Sequence, residues 1–351
     1  MVEWLAGNRI RGTSTERTST TGIGNEVGGW KELGRTTLGS SNANINISNI
    51  PDKRYYMLLS DIDLGGASTG GGMRLGSGSA DTGANYAFRA SGDGGAGTAY
   101  TNRVNAHWVG GYGDTPEFYV TYIANKSDKE KLVLSHRLYG ATVSGAGVAP
   151  KRNEFAGKWT NTSNPLDYIN YYQGGSDTYD SGSELVLLGW DPADTHTSNF
   201  WEELASVNGD GTSTTLSSGT ITAKKYIWTQ LYSDATSNAV MRFNSDSGSN
   251  YARRGSVDGA SDFAVAPTTG SSNLPSSNEA FGNCFIINNA SNEKLGISHG
   301  IDQGTAGAGT APTRKEEVFK WANTSDSITN ISWTKTGNWS SNAILKVWGH
   351  D

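Results

Sequence analysis

Glu117-Phe118-Tyr119-Val120-Thr121-Tyr122-Ile123 and, after a polar interval, Lys131-Leu132-Val133-Leu134-Ser135-His136 set the reading of the chain. Both runs are dominated by β-branched, aromatic and aliphatic residues at a period of two, which predicts strands. Arg54-Tyr55-Tyr56-Met57-Leu58-Leu59 and Glu184-Leu185-Val186-Leu187-Leu188 read the same way. So do Lys225 to Leu231, Asn283 to Ile287 and Ala343 to Trp348. No stretch longer than about ten residues shows a convincing helical period. Between the runs lie segments rich in Gly, Ser, Thr and Asn, the residues of turns and of positive φ.

The runs recur. Lys53-Arg54-Tyr55 returns as Lys224-Lys225-Tyr226, and Trp30-Lys31-Glu32-Leu33-Gly34 as Trp201-Glu202-Glu203-Leu204-Ala205, 171 residues on. Lys158-Trp159 with Asn161-Thr162-Ser163 returns as Lys320-Trp321 with Asn323-Thr324-Ser325. Leu185, Gly189 and Asp191 return as Leu345, Gly349 and Asp351, at an offset of 160. Ordered blocks with a slowly falling offset mean a tandem duplication, and a unit of this length is a domain rather than a solenoid repeat. The predicted organisation is an N-terminal arm (1–29), copy one (30–191), a linker (192–200) and copy two (201–351). About eight strands per copy are expected, giving an all-β chain of two tandem antiparallel β-sandwiches, jelly-roll-like, with an extended arm.

Composition narrows the function classes. Charged residues make up 18%, the net charge is −6, and there is one Cys and 46 Gly. No run of Lys and Arg exceeds two residues, which argues against a nucleic-acid groove. One Cys excludes a disulfide framework and a cysteine zinc site. No stretch approaches the ~20 apolar residues of a membrane span. The opening Met1 to Arg11 lacks the apolar region of a signal peptide, so export by that route is not expected.

Candidate sites are sparse. His136 and His299 are repeat-equivalent, each inside a strand run and without a second His at ligand spacing, so a structural role is expected. Asp191, Asp194 and His196 suit a capped turn. The segments Asn208 to Thr212 and Asn244 to Gly248 resemble calcium loops without the required downstream acid; no cofactor is expected, with structural calcium the one metal left open. No nucleophile elbow, carboxylate pair or phosphate loop is found, and an enzyme is not expected. The repeat-equivalent Trp30 and Trp201, and Trp159 and Trp321, are assigned structural duty. Trp108, Trp228, Trp333 and Trp339 occur in one copy only and are the candidate ligand or interface aromatics. In the arm, Trp4, Leu5 and Ile10 are the candidate assembly anchors.

The motifs Gly28-Gly29-Trp30-Lys31-Glu32-Leu33-Gly34-Arg35, Gly189-Trp190-Asp191-Pro192-Ala193-Asp194-Thr195-His196-Thr197 and Lys320-Trp321-Ala322-Asn323-Thr324-Ser325 resemble those of duplicated all-β proteins of uncultured marine viruses. That group has no assigned catalytic residues. The resemblance implies a virion or virion-associated structural protein, and at fold level the tandem sandwiches are similar to double-jelly-roll capsid proteins. The expected function is self-assembly through sandwich faces and the arm, in a capsid, surface or tail component. Expected partners are copies of itself and other virion proteins. The place expected is a virus particle built in the host cytoplasm, or an extracellular particle. The alternative is an adhesin module binding a carbohydrate or a receptor on a virion or cell surface.

Overall fold

The computed structural model describes residues 29–64, 70–110, 116–140, 144–191, 194, 199–234, 238–274 and 279–351. Among them there is no helix. Trp4, Leu5, Ile10 and His196 lie outside the described residues, so the assembly anchors have no structural account.

The duplication is written in the hydrogen-bond topology. In the first half an eight-stranded antiparallel sheet runs, in spatial order, Lys31–Thr37, Glu184–Trp190, Tyr55–Ile62, Glu117–Ala124, Lys131–Tyr139, Lys151–Trp159, Tyr86–Gly92 and Thr98–Arg103. The second half repeats that order with Glu202–Asn208, Ile344–His350, Tyr226–Ser233, Ala280–Ile287, Lys294–Asp302, Thr313–Trp321, Tyr251–Val257 and Phe263–Thr268. Each half adds a smaller sheet. The first is built on Asn44–Ser48, Tyr168–Gln173, Gly71–Ser77 and Ser79–Ala80, with His107–Val109 pairing Gly71–Ser77. The second holds Thr215–Ser217, Ile331–Thr334, Ala239–Phe243 and Asn273–Leu274. Two pairs of antiparallel sheets make two β-sandwiches.

Among the described residues, thirteen strands in the first half and twelve in the second exceed the eight per copy read from sequence. The extra strands are of two or three residues, such as Ser79–Ala80, His107–Val109 and Asn273–Leu274, or are polar edges such as Thr98–Arg103, almost wholly exposed. Neither kind has an alternating apolar pattern to reveal it. By contact, the two halves form two compact units; Asp93–Gly95 and the loop leading into Lys151–Trp159 group with the second.

Each sandwich has its own core. In the first, Ile45 and Ile47 of the small sheet join Tyr56, Leu58, Leu185 and Leu187 of the large one. In the second, Leu216, Met241 and Trp333 join Ile227, Leu345 and Val347. The edge strand of each large sheet carries the same bulge, between Glu32 and Gly34 and between Glu203 and Ala205. The bulged Leu33 and Leu204 lie over Gly189 and Gly349: a Cβ there would fall 2.2 Å from Leu33 Cδ1 or 2.8 Å from Leu204 Cδ1. The glycines recur at the end of each copy because the bulge leaves no room for a side chain.

The recurrent Trp has an equally local cause. Trp159 Nε1 donates to Asp81 Oδ2 (2.8 Å), and Trp321 Nε1 donates to Asp246 Oδ2 (2.8 Å). Asp81 also accepts from Gly83 N and Asn85 Nδ2, as Asp246 does from Gly248 N and Asn250 Nδ2. Tyr86 and Tyr251 stack on the two indoles at 6.5 and 6.2 Å, and Lys131 Nζ and Lys294 Nζ lie 5.6 and 5.8 Å from their ring centres. The structural duty read for Trp159 and Trp321 is thus a buried staple between a turn and the large sheet.

Candidate functional site

The feature that stands apart from this symmetry is an apolar groove of about 560 Å³ in the first unit. It lies on the face of the large sheet turned away from the core. Tyr56 and Leu58 point inward, so Tyr55 and its alternate neighbours point outward. Trp190, Tyr55, Ala124 and Leu132 lie at one level across four neighbouring strands, in register. Tyr122 and Leu134 pair at the next outward-facing level. Tyr55 and Trp190 stack with ring centres 5.5 Å apart and planes 17° apart. Trp30 joins the lining from the segment ahead of the first strand, and Ala156 closes the far side.

The groove exposes what a sheet normally hides. Leu132 is 57% exposed, Leu134 48% and Tyr55 41%. The second copy supplies a built-in comparison. Matching register puts Ile287 where copy one has Ala124, Val318 where it has Ala156, and His350 where it has Trp190. Trp228 and Trp348 take the places of Met57 and Leu188, 4.9 Å apart, with Trp228 stacked on Phe285 at 5.7 Å. There Leu295 and Ile297, the counterparts of Leu132 and Leu134, are 1% and 2% exposed. The groove belongs to copy one, where Ala124 and Ala156 stand at the positions that carry Ile287 and Val318 in copy two.

The aromatics singled out from sequence are placed elsewhere. Trp228, Trp333 and Trp339 are buried, which corrects their reading as ligand or interface aromatics: a buried ring presents no face to a ligand or partner. Trp339 Nε1 donates to Thr214 O (3.1 Å) and Trp228 Nε1 to Asn283 Oδ1 (2.6 Å). Trp108 is half-buried in an aromatic cluster, edge-on to Phe88 at 5.2 Å and Tyr100 at 4.6 Å. Trp30 and Trp201, equivalent in sequence, part company. Trp201 is wholly buried against Phe200, while Trp30 faces the groove.

Several titratable groups are held within the sheets. His136 pairs with Val120 across the sheet, and His299 with Glu316. Burial lowers the His299 pKa, with Glu316 opposing the shift. A buried cluster at one end of copy one joins Glu117 to Arg137 and to Tyr119 Oη. His107, beside it, has its pKa pulled down to about 4 by burial, so it is neutral at pH 7. Its Nδ1 lies 2.8 Å from Trp108 O and donates to it. No group of three or more His, Cys, Asp or Glu among the described residues could hold a metal ion. In the two calcium-like loops, Asp210 accepts from Thr212 N and Ser213 N, and Asp246 from Trp321, Gly248 and Asn250. Asp194 pairs with Lys53 and caps Asp191 N.

Sequence reading missed Tyr55, Ala124, Leu132, Leu134, Ala156 and Trp190 as a site. The signal was available in the repeat: Trp190 corresponds to His350, and Ala124 and Ala156 to Ile287 and Val318.

No protein-family model and no curated protein matches the chain. Among solved structures, domains LG4-5 of the mouse laminin alpha1 chain align over 90% of this chain and 88% of that one, at 9% identity and a TM-score of 0.17. Human GIVD cytosolic phospholipase A2 aligns over 85% of this chain and 32% of that one, at 6% identity and a TM-score of 0.12. Likeness this slight carries no argument. No helix of the described residues is long and apolar enough to cross a membrane.

Proposed function

We propose that this is a non-catalytic structural protein that self-associates, with the large-sheet groove of copy one as an assembly surface. The observation that carries the reading is the exposure of Leu132, Leu134 and Tyr55 around one apolar groove. Contiguous exposed apolar surface marks an interaction site more often than a solvated one. Aromatic residues such as Trp30, Tyr55 and Trp190 are the usual anchors of protein interfaces. The resemblance of the Trp30 and Trp321 motifs to proteins of marine viruses supports a virus particle as the setting. Light scattering on the purified chain across a concentration series tests the reading. Mass is expected to rise with concentration, and Leu132→Asp with Leu134→Asp to hold the chain monomeric. A wild-type monomer throughout the series would overturn it.

A carbohydrate-binding role is the second reading, supported by the stacked Tyr55–Trp190 pair with Tyr55 open on one side. Sugar recognition also needs convergent hydrogen-bonding groups. The groove lining is mainly aliphatic and aromatic, which favours assembly. Binding on a glycan array that is lost in Tyr55→Ala would reverse that order.

A further inference from the structure

We infer that the loop Ala306 to Pro312 of one molecule seats on the outward face of the large sheet in copy one of the next, at the edge of the groove, so that molecules join head to tail. The inference rests on the assembly reading above and names the partner of that surface. The template is a contact that the chain already makes once. Residues 144–152 belong to copy one in sequence but to the second compact unit in space. There Gly145 N donates to Glu293 Oε1, whose other oxygen accepts from Lys320 Nζ (3.0 Å). Arg254 Nε donates to Pro150 O (2.9 Å) and lies 3.6 Å from Asp93 Oδ1. Arg152 pairs with Asp262 (2.8 Å) and Glu316 (3.4 Å). Ala149 and Arg152 are buried in this contact.

The same parts exist a second time, unseated. Ala306-Gly307-Ala308-Gly309-Thr310-Ala311-Pro312 repeats Ser144-Gly145-Ala146-Gly147-Val148-Ala149-Pro150. Its shape is already set: Gly307 holds φ 94° where Gly145 holds 92°. All seven of its residues are exposed, and the side chain of Arg314, the counterpart of Arg152, is 62% exposed. On the receiving side, register matches Arg89 and Glu154 to Arg254 and Glu316, and Glu130 precedes its strand as Glu293 does. Glu130 keeps the lysine pair, with Lys158 Nζ 2.8 Å from its Oε2. Among the described residues nothing donates to its Oε1, the atom that in Glu293 accepts from Gly145 N. Asp258 stands where Asp93 does, ready to meet Arg89, while Gly97 replaces Asp262 and leaves Arg314 one carboxylate, Glu154. Leu132 and Leu134 follow Glu130 on one strand and Ala156 pairs with Arg89 on the next, so these anchors border the groove. A reciprocal, two-fold contact would seat both loops in one chain. One loop is seated, while the other and its matching face are both open. The contact is therefore heterologous, and repeated between molecules it builds a ring if its rotation closes and a filament if it does not.

The test mixes two variants of the full chain in sedimentation velocity. Ala308→Glu with Thr310→Glu spoils the loop and keeps the face; Leu132→Asp with Leu134→Asp spoils the face and keeps the loop. Each alone is expected to raise the dissociation constant at least tenfold. Mixed in equal amounts they are expected to give a one-to-one dimer and nothing larger, because one intact loop then meets one intact face. A loop variant that associates as tightly as wild type would overturn the inference and leave the assembly reading standing, since a face-to-face contact has no need of the loop. A wild-type chain that never associates would overturn both. As a second measurement, Lys129→Cys with Ala308→Cys places a thiol next to each end of the expected Gly307–Glu130 hydrogen bond, for bridging by a short bismaleimide. The native Cys284 is buried and serves as background in the parent chain. A ladder of covalently joined chains, absent from each single variant, is the expected result. A link confined within one chain, or no link, would overturn the inference.

Discussion

Asp81 and Asp246 show how much of each sandwich depends on single groups. Burial pushes both carboxyls up, but hydrogen bonds from Trp159, Asn85 and Gly83 at Asp81, and from Trp321, Asn250 and Gly248 at Asp246, outweigh it and leave both pKa values below the ordinary range. A carboxylate whose pKa falls on folding stabilises the fold above its unfolded pKa, ~3.9, and loses that contribution as pH drops through the folded value. The wild-type chain should therefore lose stability below about pH 4, and Asp81→Asn with Asp246→Asn should flatten that part of the curve. Urea midpoints between pH 2.5 and 6 test this; equal slopes in both proteins would refute it. Lys294 supplies the opposite limb. Its ammonium donates to Ala290 O, Asn292 O and Asn323 O, and burial lowers its pKa to about 8. The unfolded chain holds that proton up to ~10.4, so between pH 8 and 10 the unfolded state binds more protons and this residue's contribution to stability rises with pH. The stability of wild type relative to Lys294→Met should rise over that interval; a constant difference would count against the shift.

At the scale of the element, the bulged edge strand decides which residues recur. The bulged Leu33 lies over Gly189 and Leu204 over Gly349, so a methyl group at either glycine meets the leucine at 2.2 or 2.8 Å. Gly189→Ala and Gly349→Ala are each expected to cost about 1–3 kcal/mol through overpacking. Leu33→Ala in the Gly189→Ala background should recover part of the loss, as read by chemical denaturation. No recovery would separate the glycine from the bulge. Legibility in the sequence follows the same logic. The strands read as Glu117 to Ile123 and Lys131 to His136 are Glu117–Ala124 and Lys131–Tyr139, because aliphatic, aromatic and β-branched residues at a period of two leave a clear pattern. Thr98–Arg103 and Gly71–Ser77 were not legible: the first is a polar edge and the second is weakened by glycines whose lack of a side chain admits the Tyr172 and Ser79 backbones.

For the whole molecule, the divergence between copies matters more than their likeness. Ala124 and Ala156 line the groove at positions where copy two carries the bulkier Ile287 and Val318. Ala124→Ile with Ala156→Val should narrow the groove and weaken self-association at least tenfold. Its thermal midpoint should stay near wild type, since the side chains added are those the same sheet already carries in copy two. Association unchanged in light scattering would remove the groove from the assembly surface.

The sequence by itself determined the all-β class, the duplication and the recurrent Trp159 and Trp321, because each leaves a local or periodic trace in residue order. It also offered Trp108, Trp228, Trp333 and Trp339 as the candidate ligand or interface aromatics. Only the tertiary structure buried three of those and brought Trp30, Tyr55, Leu132, Leu134 and Trp190 to one face. These residues are separated in the chain and meet through cross-strand register, a relation set by which strands pair rather than by any stretch of sequence.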